Sequence, residues 1–422
     1  MSILRKAECG ANLFGEPDYR GSITRCSLIR GVYRSLINSG RTYAGFKDEG
    51  HLVSTVSDRG EIFDPMSGYG GLSRYCSAIG VNSYCVELNL PQYLWQVLCH
   101  PANASGFLES IRGLSQMRRR WPKERRRAIV SKDWFCPEAT ELLSVLLGLA
   151  REAVEAPFGD SAAVNELAAA LLLPFVARLS CSVEGNVATH TKQGGMCVFT
   201  GWEEDFEAYL GAMARRVGAL MGDTAGGEHV VRWGDARSID LPDGRFRAMV
   251  TSPPYPNRCD YVAMFAPEHT FLVAQGFEDN GALPGAIGST RVADHERKSP
   301  KSSSAREFIE KIRELSVSPR AQYQDRTYYV PYYSNYFAGL EDAYSNISRA
   351  LADDFEGFVV VVNNSHRSLV VPVCQAVCEI WTALGFNVKA ESRGEFFHIG
   401  TKNPRARGFR ARHTEYVVRV WR

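Results

Sequence analysis

The 422-residue chain is long enough for one large domain with an insertion or for two to three smaller ones, and its 45% hydrophobic content supports a sizeable core. With 49 basic against 47 acidic residues the formal charge is only +2, which excludes binding of nucleic acid through an overall basic field and leaves that task to local clusters. Eleven cysteines without paired spacing, in a chain this large and apolar, exclude a disulfide-stapled framework and read as reduced thiols of a cytoplasmic protein.

The opening stretch, MSILRKAECGANLFG, holds no apolar core of signal-peptide length, and no run of about 18 apolar residues occurs, so neither secretion nor a membrane span is expected. Residues 61–64 (EIFD) and 81–88 (VNSYCVEL) read as short buried strands, with a glycine-rich turn and the helix LSRYCSAIG between them, a βαβ unit. From about Leu98 to Asp223 the pattern turns helical. Glu138 to Ala156 is amphipathic, Ala162 to Leu179 is rich in Ala and Leu, and Phe206, Leu210, Met213, Val217 and Leu220 recur at helical spacing. Strand-like runs return at 229–233, 246–251, 357–362, about 386–391 and 415–421, while Ser289 to Ser304, with its ERKSPKSSS, reads as a mobile loop. Cys374 and Cys378 fall at i,i+4 spacing on a helix with no second Cys/His pair nearby, so they read as buried apolar residues and no metal is expected. The alternation predicts a doubly wound α/β sheet built from residues 1–97 and 226–422, interrupted by a mostly helical insertion over 98–225.

After the first strand comes DPMSGYGG, Asp64 to Gly71. Its glycines let a strand-to-helix turn approach a ligand closely, and the amides at the helix start favour an anionic group. Glu87, closing the next strand about 20 residues on, is placed to accept hydrogen bonds from both hydroxyls of a ribose, so a nucleoside-bearing cofactor fits the pair. The spacing G-x-G-G lacks the third glycine of G-x-G-x-x-G and points away from NAD.

TSPPY, Thr251 to Tyr255, follows the apolar run FRAMV. Two adjacent prolines have fixed φ and no amide hydrogens, so the chain must leave the sheet there as a stiff extended loop at a strand's carboxyl end, where doubly wound folds bind ligands. That geometry suits an exocyclic base amine, whose lone pair is conjugated into the ring. Hydrogen bonds to the Ser252 side chain and the Pro253 carbonyl favour a more tetrahedral nitrogen, and Tyr255 can stack on a flipped base.

DPMSGYGG and TSPPY together resemble the first and fourth motifs of the AdoMet-dependent amino-methyltransferases of DNA, with Met66 where the family has Phe. WGDARS, with Asp235, resembles the third motif, and GFVVVVNNSH to EYVVRVW resembles the later part of the same catalytic domain; the resemblance covers about residues 60–90 and 229–422. It implies a Rossmann-like AdoMet-dependent methyltransferase fold. S-adenosyl-L-methionine would be bound by Asp64, Pro65, Met66, Ser67, Gly68, Gly70, Glu87, Asp235 and Ala236, and Ser252, Pro253, Pro254 and Tyr255 would be catalytic. The serine form of the tetrapeptide is most typical of cytosine-N4 enzymes, the Asp or Asn form of adenine-N6 enzymes. No Pro-Cys dipeptide is present to supply the nucleophile of carbon-5 methylation, and Cys259 reads as a bystander. The implied activity is sequence-specific methylation of cytosine N4 in double-stranded DNA, within a restriction-modification or defence system that could include a cognate restriction endonuclease. An adenine-N6 enzyme, an RNA methyltransferase and an inactive DNA-binding subunit remain the alternatives.

For DNA contact the sequence offers MRRRWPKERRR, whose Arg118, Arg119, Arg120, Lys123, Arg125, Arg126 and Arg127 suit phosphate oxygens. Lys192 in THTKQGGM, Asn257 and Arg258 beside the proline pair, and the basic stretch Asn403 to His413 are further candidates. The motif order only loosely follows the alpha-type permutation of the family, because here the long insertion precedes the third motif.

Overall fold

The computed structural model describes residues 46–123, 128–159, 163–183, 192–193, 195–222, 226–256, 265–278, 285–289, 298–315, 323–366, 369–397 and 412–422. Helix α1 (Phe46–Val56) leads into strand β1 (Ile62–Asp64), helix α2 (Gly71–Ile79) and strand β2 (Ser83–Glu87), which is the expected βαβ unit. Among the described residues, β1 and β2 join β7 (His229–Trp233), β8 (Phe246–Thr251), β9 (Leu351–Asn363), β12 (Asn387–Phe397) and β13 (Arg412–Trp421) in a seven-stranded sheet of order β12-β13-β9-β8-β1-β2-β7. The pairs from β7 through β9 are parallel, and β13 runs antiparallel between β9 and β12. A short antiparallel ladder of β10 (Ser365–His366) on β11 (Leu369–Val370) follows β9 outside this sheet. The fold is therefore a Rossmann-like doubly wound α/β sheet with an antiparallel hairpin at one edge. Strand order reverses between β1 and β8, which makes that gap the switch point where such sheets bind ligands.

Both faces of the central strands are covered, which is why they read as nearly continuous apolar runs. Phe63, Met249, Val359 and Val361 pack toward α9 (Ser303–Glu314), α10 (Val330–Arg349) and α11 (Val373–Ala383), while Ile62, Ala248, Val250 and Val360 pack toward α1 and α2. Phe246 breaks the period-two pattern. It shares the face of Met249, stacked on Phe63 at 4.1 Å, because the register with β9 shifts between Phe246 and Ala248.

Between β2 and β7 lie α3 (Leu90–Leu98), α4 (Ala104–Gln116), α5 (Pro137–Phe158), α6 (Val164–Val176) and α7 (Trp202–Gly222). The region is mostly helical as read, with two small antiparallel ladders in addition, β3 (Ala128–Ser131) on β6 (Gly195–Val198) and β4 (Ser182–Val183) on β5 (Lys192–Gln193). One apolar core runs through α3 to α7 and takes in Phe271 and Leu272 of α8 (Ala266–Ala274).

The segment read as a mobile loop up to Ser304 is different where it is described. The amides of Lys301 and Ser302 donate to the Glu341 carboxylate of α10, Lys298 pairs with Asp342 at 2.7 Å, and α9 starts at Ser303 with the Ser304 amide on Glu379. Carboxylates of α10 and α11 satisfy the polar stretch from outside it, and Ala305, Phe308, Ile309 and Ile312 then bury the amphipathic face of α9. Residues 290–297 lie outside the described residues.

Candidate active site

Asp64 ends β1 and Thr251 ends β8, so the two lie on either side of the switch point. The Thr251 hydroxyl donates to Asp64 Oδ1 at 2.8 Å, joining residues 187 positions apart, and the Met66 amide donates to the same oxygen at 3.2 Å. Burial pushes the Asp64 carboxyl up to about 7, with the Thr251 and Met66 hydrogen bonds opposing that rise. The first and fourth sequence motifs are thus in direct contact.

The glycine loop is shaped by side chains that reach in from elsewhere. Gly68 and Gly70 take φ of +55° and +68°, a region that glycine enters without steric cost. The Gly68 amide donates to Glu87 Oε2 at 2.6 Å, and the Asn89 amide donates to Glu87 Oε1 at 2.8 Å. Burial pushes the Glu87 carboxyl up to about 8 even with those two amides favouring its charged form. From α3, Gln96 Nε2 donates to Ser67 Oγ and to the Gly68 carbonyl, both at 2.8 Å. A Cβ on Gly70 would sit 2.7 Å from Gln96 Cγ, so the loop and the helix fit only with glycine there. Pro65 and Ser67 are buried beneath the loop and Met66 is half-buried against the core under α10.

At the end of β7, Asp235 stands beside Glu87, since Trp233 pairs with Glu87 and the Gly234 amide donates to the Glu87 carbonyl. Its carboxylate caps the following turn, accepting the Arg237 amide at 2.9 Å and pairing with the Arg237 guanidinium. Ala236 is buried and its carbonyl accepts from Asn346 of α10 at 3.1 Å. Asp235 thus follows the end of β7 with its carboxylate already held, and the Ala236 carbonyl faces the protein interior.

The proline loop also has a defined hydrogen-bond order. Ser252 Oγ lies 2.8 Å from the Tyr255 hydroxyl and 3.2 Å from the Val360 carbonyl. A carbonyl only accepts, so Ser252 uses its single hydrogen on Val360 and Tyr255 must donate to Ser252; one lone pair of Ser252 Oγ remains for a further donor. Pro253 is buried, and the Pro254 carbonyl accepts from the Tyr336 hydroxyl at 3.0 Å. Gly288, at φ +81°, brings its short segment against Pro254 and the Tyr255 carbonyl.

Three residues of this arrangement went unassigned in the sequence. Thr251 stood inside the quoted motif without a role, and Gln96 sits in LPQYLWQVL, which carries no motif. Tyr336 belongs to TYYVPYYSNYF, whose tyrosine density, next to a π-helical turn at Asp325–Tyr329, was the available signal.

The basic cluster is less available than its sequence implies. Arg118, Arg119 and Arg120 are exposed on a short turn, but Arg118 pairs with Glu207 at 2.7 Å and Arg120 with Glu152 at 2.6 Å, and Trp121 is buried against Trp202 and Phe206. Lys123 is exposed, and Lys192 enters the two-residue ladder opposite Val183. Arg125, Arg126, Arg127, Asn257, Arg258, Cys259, Thr189 to Thr191 and Asn403 to Ala411 lie outside the described residues. Among the described residues no helix is long and apolar enough to cross a membrane.

No protein-family model matches the chain. Comparison with curated proteins likewise finds no match. Among solved structures, the rRNA methyltransferase aviRa from Streptomyces viridochromogenes is similar over 87% of this chain and 80% of its own, at 11% identity and a TM-score of 0.25. A likeness that low carries no inference about activity, and the chemistry rests on the site itself.

Proposed function

We propose that this protein is an AdoMet-dependent DNA methyltransferase that methylates the exocyclic N4 amine of cytosine in double-stranded DNA. The observation that carries the reading is the hydrogen bond from Thr251 to Asp64, which sets the glycine loop and the Ser-Pro-Pro-Tyr loop side by side at the sheet's switch point. The residues fit the cofactor. Glu87 is a buried carboxyl with a strongly raised pKa, and donors such as ribose hydroxyls would stabilise its charged form; Gly68 and Gly70, at positive φ, give the tight turn that holds this carboxyl at the loop. Bound there, S-adenosyl-L-methionine supplies an electrophilic methyl group on a sulfonium.

The chain's own residues then present the acceptor. The free lone pair of Ser252 Oγ accepts one hydrogen of the cytosine amine and the Pro253 carbonyl accepts the other, which localises the nitrogen lone pair away from the ring. Tyr255, oriented by its bond to Ser252, gives the flipped base an aromatic face. Ser252 in place of Asp or Asn favours cytosine over adenine. The exposed Arg118, Arg119, Arg120 and Lys123 are the described candidates for phosphate contacts, Arg118 and Arg120 exchanging weak surface ion pairs for phosphate. Restriction-modification or another defence role follows from the site-specific chemistry as part of the same proposal.

The test is incubation of the purified protein with tritiated AdoMet and mixed-sequence duplex DNA, followed by digestion to nucleosides. Label in N4-methylcytosine is expected. Label in N6-methyladenine would move the assignment to the other base, and no label in DNA would sink the reading; a parallel incubation with structured RNA that alone takes up label would remove DNA as substrate.

A further inference from the structure

Far apart in sequence, Cys136, Cys181 and Cys197 converge inside the helical block, each fully buried, with their three sulfurs within 4.8 Å of one another. Cys136 immediately precedes α5, Cys181 follows the turn that ends α6, and Cys197 lies on β6 opposite Ile129 of β3. The geometry points to a thiolate metal site that takes one zinc ion through these three sulfurs and leaves a fourth position open. A tetrahedral site with Zn–S near 2.3 Å places its sulfurs about 3.8 Å apart, so the trio needs to close by about 1 Å at most.

The surroundings fit this better than a chance pocket of small apolar thiols. The two segments are tied beside the sulfurs, the Cys181 amide donating to the Trp134 carbonyl at 2.6 Å two residues before Cys136, so their positions are fixed before any ion arrives. Three thiolates around a divalent ion leave one net negative charge. The Arg178 guanidinium, half-buried near Cys197 and fixed to Asp205 at 2.7 Å and to the Val198 carbonyl at 2.5 Å, lies within electrostatic reach of it. The location also explains a need. The β3–β6 and β4–β5 ladders are each two-stranded and short, a form that is marginal alone, and a metal tie across α5, the end of α6 and β6 would anchor both. The Cys374–Cys378 pair on α11 gains no third ligand among the described residues.

The test uses the full-length chain, expressed with zinc in the medium and purified under reducing, chelator-free conditions. About one zinc per chain is expected by atomic emission. The metal-free protein titrated with cobalt should develop the visible bands of tetrahedral sulfur ligation, bleached by added zinc, and zinc should raise Tm by about 5 °C or more. Cys136→Ser, Cys181→Ser and Cys197→Ser should each weaken zinc binding by at least about 100-fold, while Cys378→Ser leaves it unchanged. Because a serine variant can fail to fold, the wild-type titration decides: no cobalt spectrum and no bound zinc overturn the site. Stoichiometric zinc with an unchanged Tm would overturn its role as a tie.

Discussion

The two loops that meet at the switch point are held in opposite ways. The glycine loop after β1 owes its shape to neighbours, Gln96 from α3 and Glu87 from β2, and two of its own residues sit at positive φ. The proline loop after β8 largely holds itself, through two rings of fixed φ and the Ser252–Tyr255 bond, with Tyr336 as one outside brace. In the proposed function the first loop wraps a cofactor and can borrow its conformation, because binding repays the ordering; the second aims a weak nucleophile and gains from being rigid before the substrate arrives.

The most severe way to break that contrast is on the proline side. Ser252→Ala removes the acceptor proposed for the cytosine amine and is expected to lower single-turnover methyl transfer by about 100- to 1,000-fold, with AdoMet affinity by calorimetry unchanged. Equal loss of both would mean that the loops do not divide the labour. Next comes Gly70→Ala, which strains a residue at φ +68° and drives a Cβ to 2.7 Å from Gln96. AdoMet affinity should fall about 10- to 100-fold, and adding Gln96→Ala should recover part of it but not the share due to backbone strain.

Glu87→Gln is expected to cost about tenfold in AdoMet affinity at pH 8.5 and to flatten its pH dependence. In the native protein affinity should rise from pH 6 to 9, because the raised carboxyl, about 8 against an ordinary 4.5, must ionise to accept ribose hydroxyls. The same shift acts on stability. Asp64 at about 7 and Glu87 at about 8 bind protons more tightly folded than unfolded, where the values are 3.8 and 4.5. Their contribution is complete below about pH 4 and is lost as pH rises through 7 and 8, a fall in the stability of the cofactor-free protein that urea unfolding measures. A flat profile would mean that Asp64 and Glu87 are solvated. The smallest effect sharpens the comparison: Tyr336→Phe removes one hydrogen bond to Pro254 and should slow transfer less than about tenfold with AdoMet affinity intact.

What could be read in advance followed from local rules. Adjacent prolines end a strand, clustered glycines mark a turn, and short runs rich in apolar residues marked β7 and β8 to the residue. Longer strands were legible only in their middles; β9 begins at Leu351, six residues before the apolar run 357–362, because the polar Asp353 and Asp354 mask its start. The braces were illegible for a different reason. Gln96, Tyr336 and Thr251 act through partners 28 to 187 residues away, so their roles exist only once the sheet has assembled. The cysteine trio is the extreme case, scattered in sequence over three different elements.

Helix α3 touches both worlds at once. Gln96 grips the glycine loop from one face, while Leu94, Trp95 and Leu98 are packed into the core of the helical block, where Arg216 of α7 lies over the Trp95 ring at 4.5 Å. The block and the loop are therefore joined by a continuous chain of packed side chains. Any ligand that shifts the block's position has a mechanical path to the loop, and linkage makes the effect reciprocal: the factor by which it alters cofactor affinity is the factor by which the cofactor alters its own.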